Sequence, residues 1–275
     1  MENNLLLIFL GLFVGTCGTL IGAGGGFLLV PILIIFYPDF SPEEITAISM
    51  GLVAVNAISG SFAYARSGRI DYKAGYTFAL YTIPGSILGV YTVQFISQNL
   101  FDFFFGILLI VLSSYLFFRN KEPNANNTPQ IDLKGYKTRT LTDKSGKTYQ
   151  YSYKQSVGAL ISVIVGYISP LLGIGGGIIH VPAMVNILKF PVHIATATSH
   201  FILAVMATVS VVTHLIEGSY NNHSVSYTLL YLCIGVIPGA QLGAYLSPKI
   251  KGAIIIRILA FCLILVGIRI LIKSF

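Results

Sequence analysis

The chain has 275 residues, of which 55% are hydrophobic and only 10% are charged, with a mean hydropathy of +0.79. Soluble domains usually carry about 25% charged residues, so this composition excludes an ordinary soluble protein. The net charge of +7 does not indicate nucleic-acid binding, because eight of the seventeen basic residues lie in one hydrophilic connection, between Arg119 and Lys154.

Long charge-free runs predict membrane-spanning helices. They cover residues 3–38, 45–65, 74–101, 103–118, 155–188, 190–216 and 218–248. A helix needs about 20 apolar residues to cross the hydrocarbon core, and backbone polar groups in lipid must be satisfied within the helix itself. The alternating ten-residue segments of a barrel are missing from the sequence. We therefore predict an all-α polytopic integral membrane protein embedded in the lipid bilayer.

The first apolar run contains a glycine cluster, Gly22-Ala23-Gly24-Gly25-Gly26, which Pro31 follows. The 36 residues of this run would form a continuous helix about 54 Å long, too long for one crossing, and two full crossings would need about 40 residues. We therefore expect a long helix, a break at the glycines and a short re-entrant helix that starts near Pro31. Non-helical backbone at membrane depth is tolerated only in the protein interior or beside water, so the break should be internal.

The segments that follow add polar residues and a hydrophilic loop. Ser49 and Asn56 lie two helical turns apart and share a face, and Pro84 is expected to kink or interrupt the fourth segment. The 119–154 loop is predicted to be cytoplasmic, because basic residues accumulate on that side of a membrane. Its alternating residues 138–142 and 147–153, joined by a turn sequence, favour a small β-hairpin.

The second half of the chain repeats the first. Gly173-Ile174-Gly175-Gly176-Gly177 and Pro182 follow the first glycine motif at an offset of 151 residues. Ser199 and His200 stand where the first half has Ser49 and Met50, and Pro238 corresponds to Pro84. We expect two homologous repeats of four to five membrane segments, residues 1–118 and 155–275, separated by the 119–154 loop.

The two repeats are either inverted or parallel. Five segments per repeat give inverted repeats, which place the 119–154 loop, Lys189, Lys249 and Lys251 in the cytoplasm but Arg269 and Lys273 outside. Four segments per repeat give parallel repeats, which place Arg269 and Lys273 in the cytoplasm but place Lys189, Lys249 and Lys251 outside. The inverted arrangement is preferred, and loops 38–44 and 217–223, which lack basic residues, then lie outside.

The glycine clusters are the candidate substrate site. A helix that begins at each cluster presents free N–H groups and the positive end of its dipole, which together attract anions. Close helix packing is the alternative explanation, but adjacent glycines repeated with the same downstream proline exceed what packing needs. The candidate substrate-binding residues are Gly24, Gly25, Gly26, Gly175, Gly176, Gly177, Ser49, Asn56, Ser199, His200 and Gln241.

His200 is the main candidate for proton transfer, since a buried ionisable residue in a membrane is costly and histidine titrates near neutral pH. A neutral imidazole hydrogen-bonded between helices is the alternative, and that alternative is favoured for His180 and His214. Gln241 would line a cavity or bridge helices. Metal-binding and hydrolase motifs are missing, and neighbours on a helix such as Ser199 and His200 point about 100° apart, which disfavours a catalytic dyad. We expect neither enzymatic activity nor a cofactor.

The paired Gly-x-Gly-Gly-Gly motifs with their prolines, the Ala-x-Ser blocks, the Pro-Gly-x-x-x-Gly motifs and the basic central loop together resemble the sulfite exporter TauE/SafE family. The resemblance implies a secondary transporter of the cytoplasmic membrane that moves sulfite, sulfoacetate or other sulfur-containing or organic anions and is linked to the proton gradient. It places the substrate on the two glycine clusters, with Ser49, Ser199 and His200 nearby. The coupling proton would travel on a histidine or on the substrate. A passive anion channel and a non-transporting assembly subunit are the alternatives, and the duplicated breaks argue against the subunit.

Overall fold

The computed structural model describes residues 4–118, 135–247, 263–264 and 267–272, without the side chains of residues 115–118. The first half forms five helices: α1 (Asn4–Ile21), α2 (Gly26–Phe36), α3 (Pro42–Ser67), α4 (Tyr72–Val93) and α5 (Gln98–Phe118). A hairpin of β1 (Tyr136–Thr142) and β2 (Thr148–Lys154) follows. The second half forms α6 (Gln155–Leu172), α7 (Gly177–Asn186), α8 (Val192–Glu217) and α9 (His223–Leu246), and residues 267–272 are again helical.

Five of the described helices, namely α1, α3, α6, α8 and α9, are long and apolar enough to cross a membrane. Large apolar side chains such as Leu5, Phe9 and Phe62 point outward, as expected of surfaces that face lipid. The prediction of an all-α polytopic membrane protein is confirmed, and so is the predicted hairpin. Residues 119–134 of the loop and the charges of Lys249, Lys251 and Lys273 lie outside the described residues.

Local sequence rules explain where the central helices begin and end. The Ser41 hydroxyl accepts a hydrogen bond from the Glu44 amide and the Glu44 carboxylate accepts one from the Ser41 amide, which forms a capping box at the start of α3. Gly68 and Gly218, with φ of 69° and 82°, end α3 and α8 in the left-handed conformation. Helices α4 and α9 continue through their prolines, so the expected interruption there did not occur. A proline removes one backbone hydrogen bond, and packing against neighbouring helices supports the rest of the helix.

The two halves of the chain pack against each other in pairs of helices, each pair with one helix from each half. Helix α1 packs along α9, and α4 packs along α6. A Cβ on Gly235 would overlap the Ile8 carbonyl oxygen, and one on Gly243 would overlap that of Thr16, so α1 and α9 run in the same direction at very short separation. Small residues at such contacts are typical of helix packing in membranes.

Helices α3 and α8 lie at the centre and run in opposite directions. The Tyr220 hydroxyl, just after α8, donates a hydrogen bond of 2.8 Å to the Ala47 carbonyl oxygen near the start of α3. At the other end the Asp71 amide, just after α3, donates to Thr198 Oγ1 near the start of α8 at 3.0 Å. Within its most apolar window α3 is 72% buried, against 33% for α1, so α3 lies in the interior of the bundle.

The hairpin docks on the end of the bundle where α3 stops and α4 begins. Tyr151 and Tyr153 project from β2 onto Phe190, with ring centroids 4.6 and 4.9 Å from it. The Tyr151 hydroxyl also donates a 2.7 Å hydrogen bond to the carboxylate of Asp71, the N-cap residue of α4. Burial, and after it the neighbouring Asp71 carboxylate, raises the pKa of Tyr151, which keeps the phenol protonated as a donor.

Two ion pairs strengthen this docking. Arg139 of β1 lies 3.5 Å from the Asp71 carboxylate, and Arg69 lies 3.4 Å from Asp143 in the hairpin turn. The hairpin is therefore attached to the membrane bundle by aromatic packing and by charge at once.

Candidate functional site

Each helix break is built by three glycines in the left-handed conformation. Their φ angles are 84°, 81° and 92° at Gly22, Gly24 and Gly25, and 66°, 77° and 55° at Gly173, Gly175 and Gly176. Residues with a Cβ adopt such angles at a cost, which explains why both clusters consist of glycine. The amides just past α1 and α6 fold back onto the carbonyls of Gly18 and Ser169, which ends each helix.

The two breaks touch each other in the interior. The Phe27 amide donates a hydrogen bond of 3.1 Å to the Ile174 carbonyl oxygen, across the two halves of the chain. A Cβ on Gly26 would overlap the Gly173 carbonyl oxygen, and one on Gly177 would overlap the Gly22 carbonyl oxygen. Helices α2 and α7 therefore begin beside each other at one shared point, with only hydrogen atoms between Gly26 and Gly173 and between Gly177 and Gly22.

The matched serines bridge the breaks reciprocally. Ser49 Oγ on α3 donates to the Gly173 carbonyl oxygen at 2.5 Å, and Ser199 Oγ on α8 donates to the Gly22 carbonyl oxygen at 3.4 Å. Both serines are fully buried. Because each hydroxyl proton is committed to a carbonyl, these serines hold the opposite break in place and are not free donors.

A polar chain joins the first break to His200. Asn56 Nδ2 donates to the Gly24 carbonyl oxygen at 2.8 Å, which leaves Asn56 Oδ1 to accept from Thr19 Oγ1 at 2.9 Å. The Thr19 hydroxyl is then a donor, so its lone pair accepts from His200 Nε2 at 3.3 Å. In this network Nε2 is the ring nitrogen that pairs with Thr19. The other ring nitrogen, Nδ1, is buried and has no hydrogen-bond partner among the described residues.

Three further residues support His200, and the sequence reasoning missed all of them. Thr19 links the histidine to Asn56, and the Tyr64 hydroxyl donates to the Thr19 carbonyl oxygen at 2.9 Å. The Tyr64 ring packs edge-on against the imidazole, with 5.5 Å between centroids. Gly60 makes room for the ring, since a Cβ there would lie 2.7 Å from His200 Cδ2. Helical spacing is the sequence pattern that could have revealed Gly60 and Tyr64, because Asn56, Gly60 and Tyr64 lie four residues apart on one face of α3.

The remaining polar candidates lie away from the breaks or bridge helices. Gln241 on α9 donates to the backbone and hydroxyl oxygens of Ser59 at 2.8 and 2.9 Å, so it bridges α9 to α3. His180 lies 3.3 Å from the Ser162 hydroxyl, between α7 and α6. His214 pairs at 3.0 Å with Ser219 beyond the end of α8. The structure therefore groups the glycine clusters with Ser49, Asn56, Ser199 and His200 and leaves Gln241 apart from them.

The shared point presents positive backbone dipoles without a basic side chain. The amides of Gly25 and Gly176, at the starts of α2 and α7, make no hydrogen bond to the described residues. No lysine or arginine is buried in the described part of the chain. Two converging helix N-termini with free amides are suited to hold a small anion. Clusters of metal-ligating side chains are missing from the described residues.

Comparison with known proteins finds a matching family and several relatives. A family model described as "Sulfite exporter TauE/SafE" matches residues 7–270. The chain is 35% identical to the probable membrane transporter protein YunE of Bacillus subtilis, over 97% of this chain and 96% of that protein. It is 28% identical to the probable membrane transporter protein MJ0441 of Methanocaldococcus jannaschii, over 90% and 87% of the two chains. No solved structure matches it significantly.

Proposed function

The chain belongs to the sulfite exporter TauE/SafE family of multi-pass membrane transporters, and from this premise we propose that it is a secondary transporter for small sulfur-containing or organic oxyanions. The observation that carries the proposal is the contact between the two glycine breaks, where the amides of Gly25 and Gly176, the N-cap residues of two converging helices, make no hydrogen bond to the described residues. Dipoles of this kind bind a charged substrate without a buried basic residue that would hold it too tightly for release. Transport of this kind needs no covalent step.

We further propose that residues 1–118 and 155–275 are inverted repeats, with the loop 119–154 between them in the cytoplasm. The antiparallel central pair α3 and α8 and the helix pairs α1/α9 and α4/α6 support this arrangement. In inverted-repeat transporters the two repeats rock against each other around a fixed site near the bilayer centre. Ser49 and Ser199, each bonded to the opposite break, would keep the two halves of the site in register during that motion.

We propose that His200 carries the coupling proton. It is buried, its Nε2 lies 3.3 Å from the Thr19 hydroxyl, and its Nδ1 makes no hydrogen bond to the described residues. Protonation of Nδ1 would place a positive charge on the network that reaches Gly24 through Asn56, close to the proposed anion. Attraction between that charge and the anion would link proton binding to substrate binding.

Uptake of labelled sulfite, sulfoacetate and thiosulfate into proteoliposomes, with and without an imposed pH gradient, tests the function. A gradient-driven transporter accumulates at least one of these anions above its external concentration, and the accumulation collapses when a protonophore removes the gradient. Flux that only equilibrates the anion, whatever the gradient, would establish a passive channel. Empty liposomes and liposomes with heat-denatured protein serve as controls.

Replacement of His200 by glutamine tests the coupling role, because the glutamine amide still offers a donor toward Thr19 but does not titrate. We expect His200→Gln to retain exchange of labelled for unlabelled anion across the liposome membrane. It should lose accumulation driven by the pH gradient, so that the internal concentration no longer exceeds the external one. Undiminished accumulation in His200→Gln would show that the proton travels with the substrate.

A further inference from the structure

The two breaks differ at the position of Ser169. Ser169 stands where the first repeat has Gly18, at the same offset of 151 residues. Its side chain is fully buried, and its Oγ makes no hydrogen bond to any described residue. A buried hydroxyl without a partner is costly, so its retention calls for an explanation.

The hydroxyl of Ser169 does not take the usual course of a serine inside a helix. Two other buried serines follow that course, since Ser162 donates to the Gly158 carbonyl at 2.8 Å and Ser210 to the Met206 carbonyl at 3.1 Å, one turn earlier in their helices. Ser169 instead faces the second break, since a Cβ on Gly176 would lie 3.1 Å from its Oγ.

Two donors without hydrogen-bond partners among the described residues therefore lie close together at the second break. One is the Ser169 hydroxyl, and the other is the amide of Gly176, the N-cap residue of α7. The first break offers no equivalent, because a Cβ on Gly18 would lie only 2.5 Å from the Gly25 backbone nitrogen and leaves no space for a side chain. An oxyanion accepts several hydrogen bonds at once, and a neutral hydroxyl supplies one without adding charge.

We propose that Ser169 is a substrate-binding residue whose hydroxyl donates a hydrogen bond to an oxygen of the anion held at the Gly176 amide. This inference rests on the proposed function and adds that the substrate lies closer to the second break than to the first. Ser49 and Ser199, which donate to backbone carbonyls, then position the site, and Ser169 contacts the anion.

Kinetics of anion uptake by Ser169→Ala test the proposal. Loss of one hydrogen bond to a charged group should raise KM by about tenfold to a hundredfold. The melting temperature of the purified variant without substrate should not fall, because alanine removes an unpartnered polar atom. In the wild type a bound anion should raise the melting temperature, and this shift should shrink in Ser169→Ala.

Ser113→Ala is the matched control, because Ser113 on α5 is equally buried and equally unpartnered but lies on a helix that does not form the breaks. Its KM should equal that of the wild type. A KM of Ser169→Ala equal to that of the wild type would overturn the assignment of Ser169. A rise in KM of the same size in Ser113→Ala would overturn it as well. If the wild-type protein moves no oxyanion at all, the proposed function fails and this inference fails with it, a result distinct from an unchanged KM.

Discussion

At the scale of single residues, the site depends on what glycine permits and other residues do not. The six left-handed glycines give the backbone its turns, while Gly26 and Gly177 allow two carbonyl groups to approach without a Cβ between them. A glycine is needed either because its φ angle is left-handed or because a Cβ would not fit, and substitutions at chosen glycines distinguish these two requirements.

Gly25→Ala and Gly135→Ala separate the two requirements, since the glycines have nearly equal φ angles of 92° and 97°. A Cβ on Gly135 meets nothing within 4 Å, whereas one on Gly25 would lie 2.7 Å from Val14 Cγ1. We expect Gly135→Ala to lose about 1–2 kcal/mol from backbone strain alone. Gly25→Ala should lose a further 1–3 kcal/mol, roughly, from overpacking. Thermal unfolding in detergent measures both, and equal losses would refute the steric part of the argument.

At the scale of secondary-structure elements, the hairpin forms a cap on one end of the bundle. Tyr151 and Arg139 both reach Asp71, whose carboxylate also accepts from the Ala74 amide and whose own amide donates to Thr198. Thr198 directly precedes Ser199 on α8, so the hairpin is connected through Asp71 to the helix that holds the first break.

Removal of the Tyr151 hydroxyl tests how much this contact contributes. Tyr151→Phe keeps the ring packing on Phe190 but deprives the buried Asp71 carboxylate of a donor, which should lower the free energy of unfolding by about 1–3 kcal/mol. Tyr136→Phe is the matched control, because Tyr136 belongs to the same hairpin but is exposed. Chemical or thermal unfolding of both variants gives the comparison. A loss no larger in Tyr151→Phe than in Tyr136→Phe would count against the docking role.

The hairpin turn should also make stability depend on pH. The Ser145 hydroxyl, with backbone amides and Arg69, lowers the pKa of Asp143 from its ordinary value of 3.8. A carboxyl whose pKa is lowered on folding stabilises the fold fully above its ordinary pKa, and this contribution disappears as pH falls through the lowered value. The difference in melting temperature between wild type and Asp143→Asn should therefore be constant above about pH 5 and shrink below about pH 4. A difference that grows on acidification would contradict the assigned direction of the shift.

At the scale of the whole molecule, transport across the membrane requires that the two ends of the bundle face opposite sides of it. The hairpin marks one end, and the turn between α8 and α9 marks the other, because α8 runs from the Asp71 contact to the Tyr220 contact. In the proposed orientation the hairpin end, with its basic residues, faces the cytoplasm.

Single cysteines introduced at Thr140 and Asn221, in a chain whose natural cysteines are replaced, test this orientation. Both positions are exposed. An impermeant thiol reagent added to intact cells should label Asn221→Cys and should label Thr140→Cys only after the cells are opened. The reverse labelling pattern would show that the protein has the opposite orientation. Labelling of both cysteines in intact cells would contradict a bundle that spans the membrane.

Sequence reasoning predicted the elements of this molecule better than their contacts. The glycine clusters, the hairpin and the shared face of Ser49 and Asn56 are local patterns, and a helical or strand period reveals them. The partners of these residues are distant in sequence, since Ser49 bonds to Gly173 and His200 to Thr19, 124 and 181 positions away. Periodicity shows which face of a helix is buried but not which helix covers it. From the sequence, Gln241 is therefore suited either to lining a cavity or to bridging helices, and periodicity does not distinguish Ser169 from its neighbours.

The most direct test of the central claim is uptake of labelled anion into proteoliposomes by wild type, Gly25→Val, Gly176→Val and the control Gly135→Val, each shown to be folded. If the substrate binds where the two breaks meet, both break variants lose uptake, since a branched side chain at either glycine collides with its neighbours and displaces the backbone that presents the free amides. Gly135→Val, which changes a left-handed glycine far from the breaks, should retain it. Break variants that fold and transport at the wild-type rate would place the substrate elsewhere and contradict the account.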